Sequence, residues 1–594
     1  VGEDCFEYFT NLESVEMNGC VTKIGYGSFY DCDKLKKVTV TKGVTSVEGW
    51  AFAKCDELEE VVIEGDPSYL AGYSFSMNPK LKSVKMYGSV GRLKEDAIIQ
   101  CPMLEEVVLS EGLYVIEDDA LLANDSLKEL NIPSHVYQMP TYKDRYNAAA
   151  YSSLLRVNVS EENEDYSSLD GVLFDKDATK LIWYSSQREE EEYQVPSTVT
   201  EIGDLAFAHS TYLKKVTVPE GTAAIGYGAF YYCDSLETVI LPESLTELGQ
   251  DVFMRSKALE SIKIPQQISA IPERTFYECE NLADVELPDG LTVIGKESFR
   301  GCTELKNLIL PKETTEIQES AFYQCGIEEI DIPAKVSVLD ITAFENSYRL
   351  ERFTVAEENA SFSADEEGVL FDKEQKTLLL YPKGKEGAEY TVKETVASIG
   401  TGAFGNGSGS DSLKRLTILN PECVLEQAAI RSHSMTICGY RNSTAQAYAE
   451  ENGNPFLPLE GGDEPDEPDN PDNPDTMAFT DVGQDAWYYD SVQYVYENGL
   501  MTGLNDTTFG PGQTLARAQF AVILYRMNGE PPVEYTPKFN DVAEGLWYTD
   551  AILWASEQGV VTGYSNGNFG PGDLINREQM ALMMYRYALA KGYD

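Results

Sequence analysis

Residues 199–221, VTEIGDLAFAHSTYLKKVTVPEG, and residues 222–244, TAAIGYGAFYYCDSLETVILPES, are two copies of one 23-residue pattern. Thirteen copies are recognisable, the first beginning near residue 21 and the last near residue 396. The most regular position is an aromatic anchor, found at Phe207, Phe230, Phe253, Phe276, Phe299 and Phe322. One short coil cannot bury its apolar face alone, so the repeat predicts stacked coils that share a continuous core.

Each copy also predicts a short strand. Apolar and polar residues alternate at Val216 and Val218, and Pro219 then ends the strand. Strands of adjacent coils should pair in parallel, about 4.8 Å apart. We therefore predict a β-rich, right-handed, gently curved solenoid over residues 1–459. Its outward-facing strand positions are where a partner would bind, and they include Lys215, Thr217, Thr238, Ile240, Ser261, Lys263, Asp284, Glu286, Asn307 and Ile309.

Seven cysteines share one repeat position, three residues after the anchor: Cys32, Cys55, Cys101, Cys233, Cys279, Cys302 and Cys325. Other copies place asparagine or serine there, so the position requires a small, weakly polar side chain. This pattern favours a buried ladder of thiols over disulfides. The sequence contains no CxxC pair, and its three histidines lie far apart, so neither a metal site nor a cofactor is predicted.

Two longer inserts, near residues 157–198 and 353–395, share the motif GVLFDK and align over their second halves at an offset of 197. Each predicts a pair of hairpins, with a turn at Asp170-Gly171 in the first and at Glu367-Gly368 in the second. The repeat and its inserts resemble the BspA-type leucine-rich repeat family. That resemblance implies a surface that contacts another macromolecule, and a terminal cap near residues 437–459.

The register of the repeat predicts that the chain opens within a coil, because Phe6 falls 23 residues before Phe29. We therefore expect the natural protein to extend upstream. At the other end of the solenoid, residues 460–476 are rich in proline and acidic residues. Charge repulsion and proline stiffness predict an extended linker there.

A different period, of 60 residues, follows the linker and defines two units, residues 477–535 and 536–594. Each unit predicts two helices. The first runs from near Asp490 to Gly499, or from near Asp550 to Gly559, and the second from near Arg517 to Tyr525, or from near Arg577 to Tyr585. The paired anchors that define this period are Phe479/Phe539, Asp481/Asp541, Trp487/Trp547, Phe509/Phe569 and Arg517/Arg577.

These units resemble S-layer homology repeats. The resemblance implies an all-α helical bundle that binds secondary cell-wall polysaccharide, commonly pyruvylated, through Asp481, Trp487, Arg517, Asp541, Trp547 and Arg577. An arginine fork suits a ketal carboxylate, and an aromatic face suits a sugar ring. The alternative is that the tryptophans and arginines only pack the helices. Members of this family usually carry three units, so we expect a third after residue 594.

The helix starts of the two units differ. Asn576 and Gln579 can form a capping box, whereas Ala516 offers no side-chain cap. We therefore expect the better-defined geometry in the second unit.

Bulk properties limit the functional classes. The net charge of −53 disfavours nucleic acid and anionic lipid, and no apolar run is long enough to span a membrane. No catalytic motif is present, which predicts a protein that is not an enzyme. We expect an extracellular bacterial protein at the cell wall or S-layer, anchored non-covalently, whose solenoid is an adhesin for an unidentified host, dietary or bacterial macromolecule. The alternatives are a structural S-layer component, a spacer, or a carrier of an upstream catalytic domain.

Overall fold

A computed structural model describes residues 1–17, 19–140, 153–405, 412–459, 479–483, 486–504 and 507–592. The chain divides into two compact units, Val1–Asp463 and Glu464–Asp594. The first is a β-solenoid and the second is helical, as predicted. The predicted linker, residues 460–476, lies outside the described residues.

The solenoid alternates longer and very short strands. The strands up to the first insert are β1 (Ser14–Val15), β2 (Lys23–Ile24), β3 (Lys37–Val40), β4 (Ser46–Val47), β5 (Glu60–Ile63), β6 (Ser83–Met86), β7 (Arg92–Leu93), β8 (Glu106–Val108), β9 (Val115–Ile116), β10 (Glu129–Ile132) and β11 (Arg156–Val159). Those of the first insert and the central coils are β12 (Tyr166–Leu169), β13 (Val172–Asp175), β14 (Lys180–Trp183), β15 (Glu192–Gln194), β16 (Glu201–Ile202), β17 (Lys215–Thr217), β18 (Ala224–Ile225), β19 (Thr238–Ile240), β20 (Glu247–Leu248), β21 (Ser261–Lys263), β22 (Ala270–Ile271), β23 (Asp284–Glu286), β24 (Val293–Ile294), β25 (Glu316–Ile317), β26 (Glu329–Ile332), β27 (Val338–Leu339) and β28 (Arg352–Val355). The remaining strands are β29 (Phe362–Ala364), β30 (Leu370–Asp372), β31 (Thr377–Leu380), β32 (Glu389–Val392), β33 (Ser398–Ile399), β34 (Arg415–Ile418), β35 (Val424–Leu425), β36 (Thr436–Gly439) and β37 (Phe456–Pro458).

Neighbouring coils pair in the predicted parallel register. The longer strands β15, β17, β19, β21 and β23 form one sheet, and Val216 of β17 lies opposite Val239 of β19, one 23-residue period later. The short strands form a second series, in which Ile202 pairs with Ile225. The sequence period is therefore the period of the hydrogen-bonded stack.

The aromatic anchors stack through the core. Phe253 is fully buried, and its ring centroid lies 5.3 Å from that of Phe230 and 5.6 Å from that of Phe276, with nearly parallel ring planes. Such aromatic pairs each add about 0.5–1.5 kcal/mol beyond the burial of their surface. Successive ring contacts link the central coils from Phe207 to Phe344.

The cysteine position forms the predicted buried ladder. The Cys279 thiol donates a hydrogen bond to the Phe253 carbonyl oxygen at 3.0 Å, 26 residues earlier. Asn78 and Ser256, at the same position in other coils, donate to the equivalent carbonyls at 3.0 and 2.8 Å. The position thus requires a small donor that satisfies a buried carbonyl of the preceding coil.

Both inserts form three-stranded antiparallel meanders. In the first, β12 and β13 turn at Asp170 and Gly171, both with positive φ, as predicted. In the second, the prediction of a turn at Glu367-Gly368 was too narrow. Asp365 and Val369 face each other across a wider loop, and the Asp365 carboxylate accepts a hydrogen bond from the Val369 amide. The last strand of each meander joins the short-strand series.

The prediction of a strand through Asn307 and Ile309 was wrong. No strand is described there, and Ile309 is 87% exposed. The next coil is one residue short, since the anchors Phe322 and Phe344 are 22 residues apart. The regular strand register is interrupted at this change of spacing.

The helices are few. One lies between β36 and β37 at the predicted cap, where its buried residues Tyr448 and Ala449 pack on the last coils. Four more are described in the second unit, and the helices of the described residues are α1 (Thr444–Asn452), α2 (Tyr489–Glu497), α3 (Arg517–Arg526), α4 (Thr549–Glu557) and α5 (Arg577–Lys591). The predicted end of α5 near Tyr585 was too early, because strong helix formers continue to a left-handed cap at Gly592.

Candidate binding surfaces

Asp481 and Asp541 each hold the loop that precedes the second helix of their unit. The two oxygens of Asp481 accept hydrogen bonds from the amides of Phe509 and Gly510, at 2.8 and 2.7 Å. Asp541 makes the same pair of contacts with Phe569 and Gly570. The Phe509 amide bond in particular lowers the pKa of the Asp481 carboxyl. Both aspartates are therefore already engaged in fixing a loop.

Arg517 of the first 60-residue repeat, residues 477–535, is buried against the second repeat, residues 536–594. Its Nε donates to the Phe569 carbonyl at 3.1 Å, and its Nη2 donates to the Thr562 carbonyl at 3.2 Å. The guanidinium also lies 4.9 Å from the ring centroid of Tyr564 and 4.8 Å from that of Phe569. These contacts join α3 to the second 60-residue repeat, residues 536–594. Arg577, at the equivalent position of α5, is exposed.

Trp487 and Trp547 lie just before the first helix of their units. Their side chains are 94% and 66% exposed, and each ring makes an edge contact with the tyrosine that follows it, Tyr488 or Tyr548. The alternative that these tryptophans only pack the helices does not fit such exposure. An exposed indole is a large, rigid, amphipathic contact surface.

The helix starts differ as expected. Asn576 accepts a hydrogen bond from the Gln579 amide at 2.8 Å, and the Gln579 side chain accepts one from the Asn576 amide, so the capping box of α5 is complete. At α3 only the half supplied by Gln519 forms, to the Ala516 amide at 2.7 Å. The second unit has the better-capped helix, as predicted.

The six predicted residues do not all meet at one point. Arg517 and Asp541 converge on one loop, where they hold the Phe569 carbonyl and the Phe569 amide. Thr562 and Tyr564 also belong to this contact, and the sequence analysis did not identify them. Tyr564 has a leucine as its counterpart in the first unit, so comparison of the two units gave no signal for it.

The predicted positions of the solenoid face outward. Ile240 is 46% exposed, Ser261, Lys263, Asp284 and Glu286 are exposed, and Lys215, Thr217 and Thr238 are half-buried. Many charges on this face pair between coils. Lys263, for example, lies 3.1 Å from Glu243, and this hydrogen bond raises its pKa. Exposed pairs of this kind add little stability, so the surface remains available for contacts.

Within the described residues, no helix combines the length and the apolar run needed to cross a bilayer. No group of three or more histidine, cysteine, aspartate and glutamate side chains in that part of the chain is placed to hold a metal ion.

Two family models match the chain. A BspA type leucine rich repeat region matches residues 1–128, 70–146, 183–285 and 269–365, which together cover more than half of the chain. An S-layer homology domain matches residues 478–521 and 538–581.

Relatives share a short segment. An endoglucanase of Bacillus sp. (strain KSM-635) is 39% identical over 108 residues, which are 18% of this chain and 11% of the endoglucanase. The S-layer protein sap of Bacillus anthracis is 36% identical over 107 residues, 18% of this chain and 13% of that protein. The chain thus spans only a small part of the length of these relatives, and the matches to glycosidases are confined to the S-layer homology region.

Solved structures of leucine-rich repeat proteins are similar to the chain. One from Eubacterium ventriosum is 24% identical, with a TM-score of 0.39, covering 53% of this chain and 83% of that one. A leucine rich cell surface protein from Faecalibacterium prausnitzii is 25% identical, with a TM-score of 0.34, covering 60% and 82%.

Proposed function

This chain belongs to the BspA-type leucine-rich repeat family, and from that premise we propose that it is a non-catalytic adhesin whose solenoid binds another macromolecule while its C-terminal unit holds the cell wall. The chain is a bacterial surface protein of the cell wall or S-layer, since it carries two S-layer homology domains and is similar to S-layer proteins. We propose adhesion for the solenoid and polysaccharide binding for the C-terminal unit.

The exposed tryptophans support the proposed binding to the cell wall. Trp487 and Trp547 present bare indole faces at equivalent places in the two units, a repeated platform for sugar rings. The exposed Arg577 adds a guanidinium suited to a carboxylate, as a pyruvylated secondary cell-wall polysaccharide would provide. Arg517, Asp481 and Asp541 bind backbone groups of loops in these repeats, and we propose that they act chiefly by positioning.

The long outward face of the solenoid supports the proposed adhesin role. Successive coils display mixed side chains there, from Ile240 on β19 to Lys263 and Glu286 on the two following strands. Such variation gives each stretch of the face its own recognition chemistry. The negative charge of the chain favours neutral or basic partners over polyanions.

The adhesin proposal is tested by binding to immobilised extracellular-matrix proteins, mucin and purified walls of the source bacterium. We expect saturable binding to a foreign macromolecule, which a variant reversing charge at Lys263 and Glu286 weakens. A Tyr212→Ala variant, changed at an exposed residue outside this face, serves as control. Self-association without any foreign binding would reject the adhesin role.

That last result would support the second candidate, a structural S-layer component or spacer. The observation that favours it is the similarity to S-layer proteins. Electron microscopy of sheets grown from the purified chain distinguishes the two, because a lattice component should form an ordered array and an adhesin should not.

A further inference from the structure

Two backbone positions of the solenoid, two residues before and two residues after the core anchor, repeatedly carry a side chain despite a left-handed conformation. The residue two positions after the core anchor, here called the flank position, has positive φ in a long series of coils. Its occupants are Tyr8, Asp31, Lys54, Met77, Gln100, Ala123, His209, Tyr232, Arg255, Glu278, Gln324 and Asn346. At Gly301 the same position has φ +77° and no side chain. Glycine is the residue that lets another molecule approach a backbone closely.

A second glycine lies beside the first. A Cβ added at Gly326 would lie 2.1 Å from the Thr303 carbonyl oxygen, so only glycine fits there. A groove of about 470 Å³ runs across four coils, and both glycines line it. Its walls are formed by Glu278, Glu280, Gln324, Asn346, Tyr348 and Arg349. This volume falls within the range of small-molecule sites, roughly 300–1,000 Å³.

Hydrogen bonds hold one wall in place. The Tyr348 hydroxyl donates to Oδ1 of Asn346 at 3.2 Å, and Nδ2 of Asn346 donates to the Tyr323 hydroxyl at 2.7 Å. Arg349 crosses the short coil and donates to the Thr303 carbonyl at 3.3 Å. The Tyr348 ring, 39% exposed, is therefore oriented before any ligand arrives.

The opposite wall is acidic and also fixed. Glu278 lies 2.8 Å from the Arg255 guanidinium, and Glu280 lies 2.7 Å from the Lys257 ammonium. Carboxylates held in this way keep lone pairs for hydroxyl donors. Because Arg255 and Lys257 pair with these carboxylates, this wall carries little net charge, and the negative charge of the whole chain disfavours an anionic ligand.

We infer that this groove binds an uncharged saccharide unit of a glycan, a conclusion that rests on the proposed adhesin role and names its ligand class. Lys383 Nζ lies 5.2 Å from the centroid of the Tyr348 ring, and the part of the ring that remains exposed supplies a flat surface for the C–H face of a sugar ring. Glu280, Gln324 and Arg349 supply acceptors and donors for its hydroxyls. Because Gly301 carries no side chain where the other coils carry one, the sugar ring can lie between the two walls.

The test restores the missing side chain. Gly301→Tyr places a tyrosine at this flank position, where an earlier coil has Tyr232. The added side chain should fill the groove. Ala123→Tyr makes the same addition at a flank position far from the groove, and is the matched control. Tyr348→Ala removes the aromatic wall without changing the backbone.

Binding is measured by saturation-transfer NMR with four neutral disaccharides: cellobiose, lactose, mannobiose and N,N′-diacetylchitobiose. We expect at least one to bind the chain and the Ala123→Tyr control. Gly301→Tyr and Tyr348→Ala should each weaken that binding at least about tenfold, with an unchanged circular dichroism spectrum. If Gly301→Tyr is misfolded, Tyr348→Ala and Glu280→Gln decide the outcome by the same criterion.

The inference is overturned if none of the four sugars binds, or if folded groove variants bind as well as the control. Adhesion to a macromolecule that persists unchanged in Gly301→Tyr would refute the saccharide site and leave the adhesin role standing. Absence of macromolecular adhesion together with sugar binding would refute the adhesin role alone.

Discussion

Arg517→Ala and Arg577→Ala make the same change at equivalent positions of two homologous helices, yet the structure predicts very different costs. Arg517 is buried, with two hydrogen bonds from a charged donor and two aromatic rings against its guanidinium. Losing these contacts and leaving two carbonyls unpaired should cost about 3 kcal/mol. The exposed Arg577 should cost less than about 0.5 kcal/mol.

Hydrogen-exchange mass spectrometry measures this difference locally, so that the large solenoid does not mask it. A loss of about 3 kcal/mol corresponds to roughly hundredfold faster exchange. We expect this acceleration in α3 and in residues 562–570, where opening of the contact between the two 60-residue repeats exposes the amides. Arg577→Ala should leave both segments almost unchanged. Equal exchange rates in the two variants would refute the argument that Arg517 joins the units.

Four further predictions follow from particular contacts. Phe253→Ala should destabilise its coils by about 3–5 kcal/mol in thermal unfolding, because a fully buried, doubly stacked ring is removed, whereas Tyr212→Ala should have almost no effect. Burial raises the pKa of Cys101 to about 12, so the folded chain keeps a proton that the unfolded chain loses above pH ~8.5. The free energy of unfolding measured in urea should therefore fall as the pH rises from about 9 to 12, and a flat profile would contradict this. Asp541→Ala should speed exchange of the Phe569 and Gly570 amides, which Asp541→Glu should partly restore. Arg577→Ala should weaken sedimentation of the chain with purified walls, and unchanged sedimentation would remove Arg577 from the site.

The repeat made much of the solenoid predictable. Because coils stack in register, a 23-residue period in sequence becomes a ladder in space, as Phe253 and Cys279 show. The left-handed flank positions could not be predicted, since residues such as Tyr232 and Glu278 carry no signal for positive φ. They are maintained by the hydrogen bonds of neighbouring turns, which only the stack reveals.

The C-terminal unit shows a different limit. Arg517 and Arg577 occupy the same motif, and nothing in that motif distinguishes the buried guanidinium from the exposed one. The difference lies in a neighbour, because the loop containing Phe569 packs on α3. The tryptophan positions were found from the 60-residue period, but their exposure depends on packing and became visible only in the structure.

The proposed attachment to the wall depends on the bare aromatic faces of the C-terminal unit. Co-sedimentation with purified cell walls tests this directly, using the intact chain and a Trp487→Ala, Trp547→Ala double variant shown to be folded by circular dichroism. We predict that the intact chain pellets with the walls and that the double variant stays in the supernatant. An intact chain that stays in the supernatant, or a double variant that pellets equally well, would contradict the account.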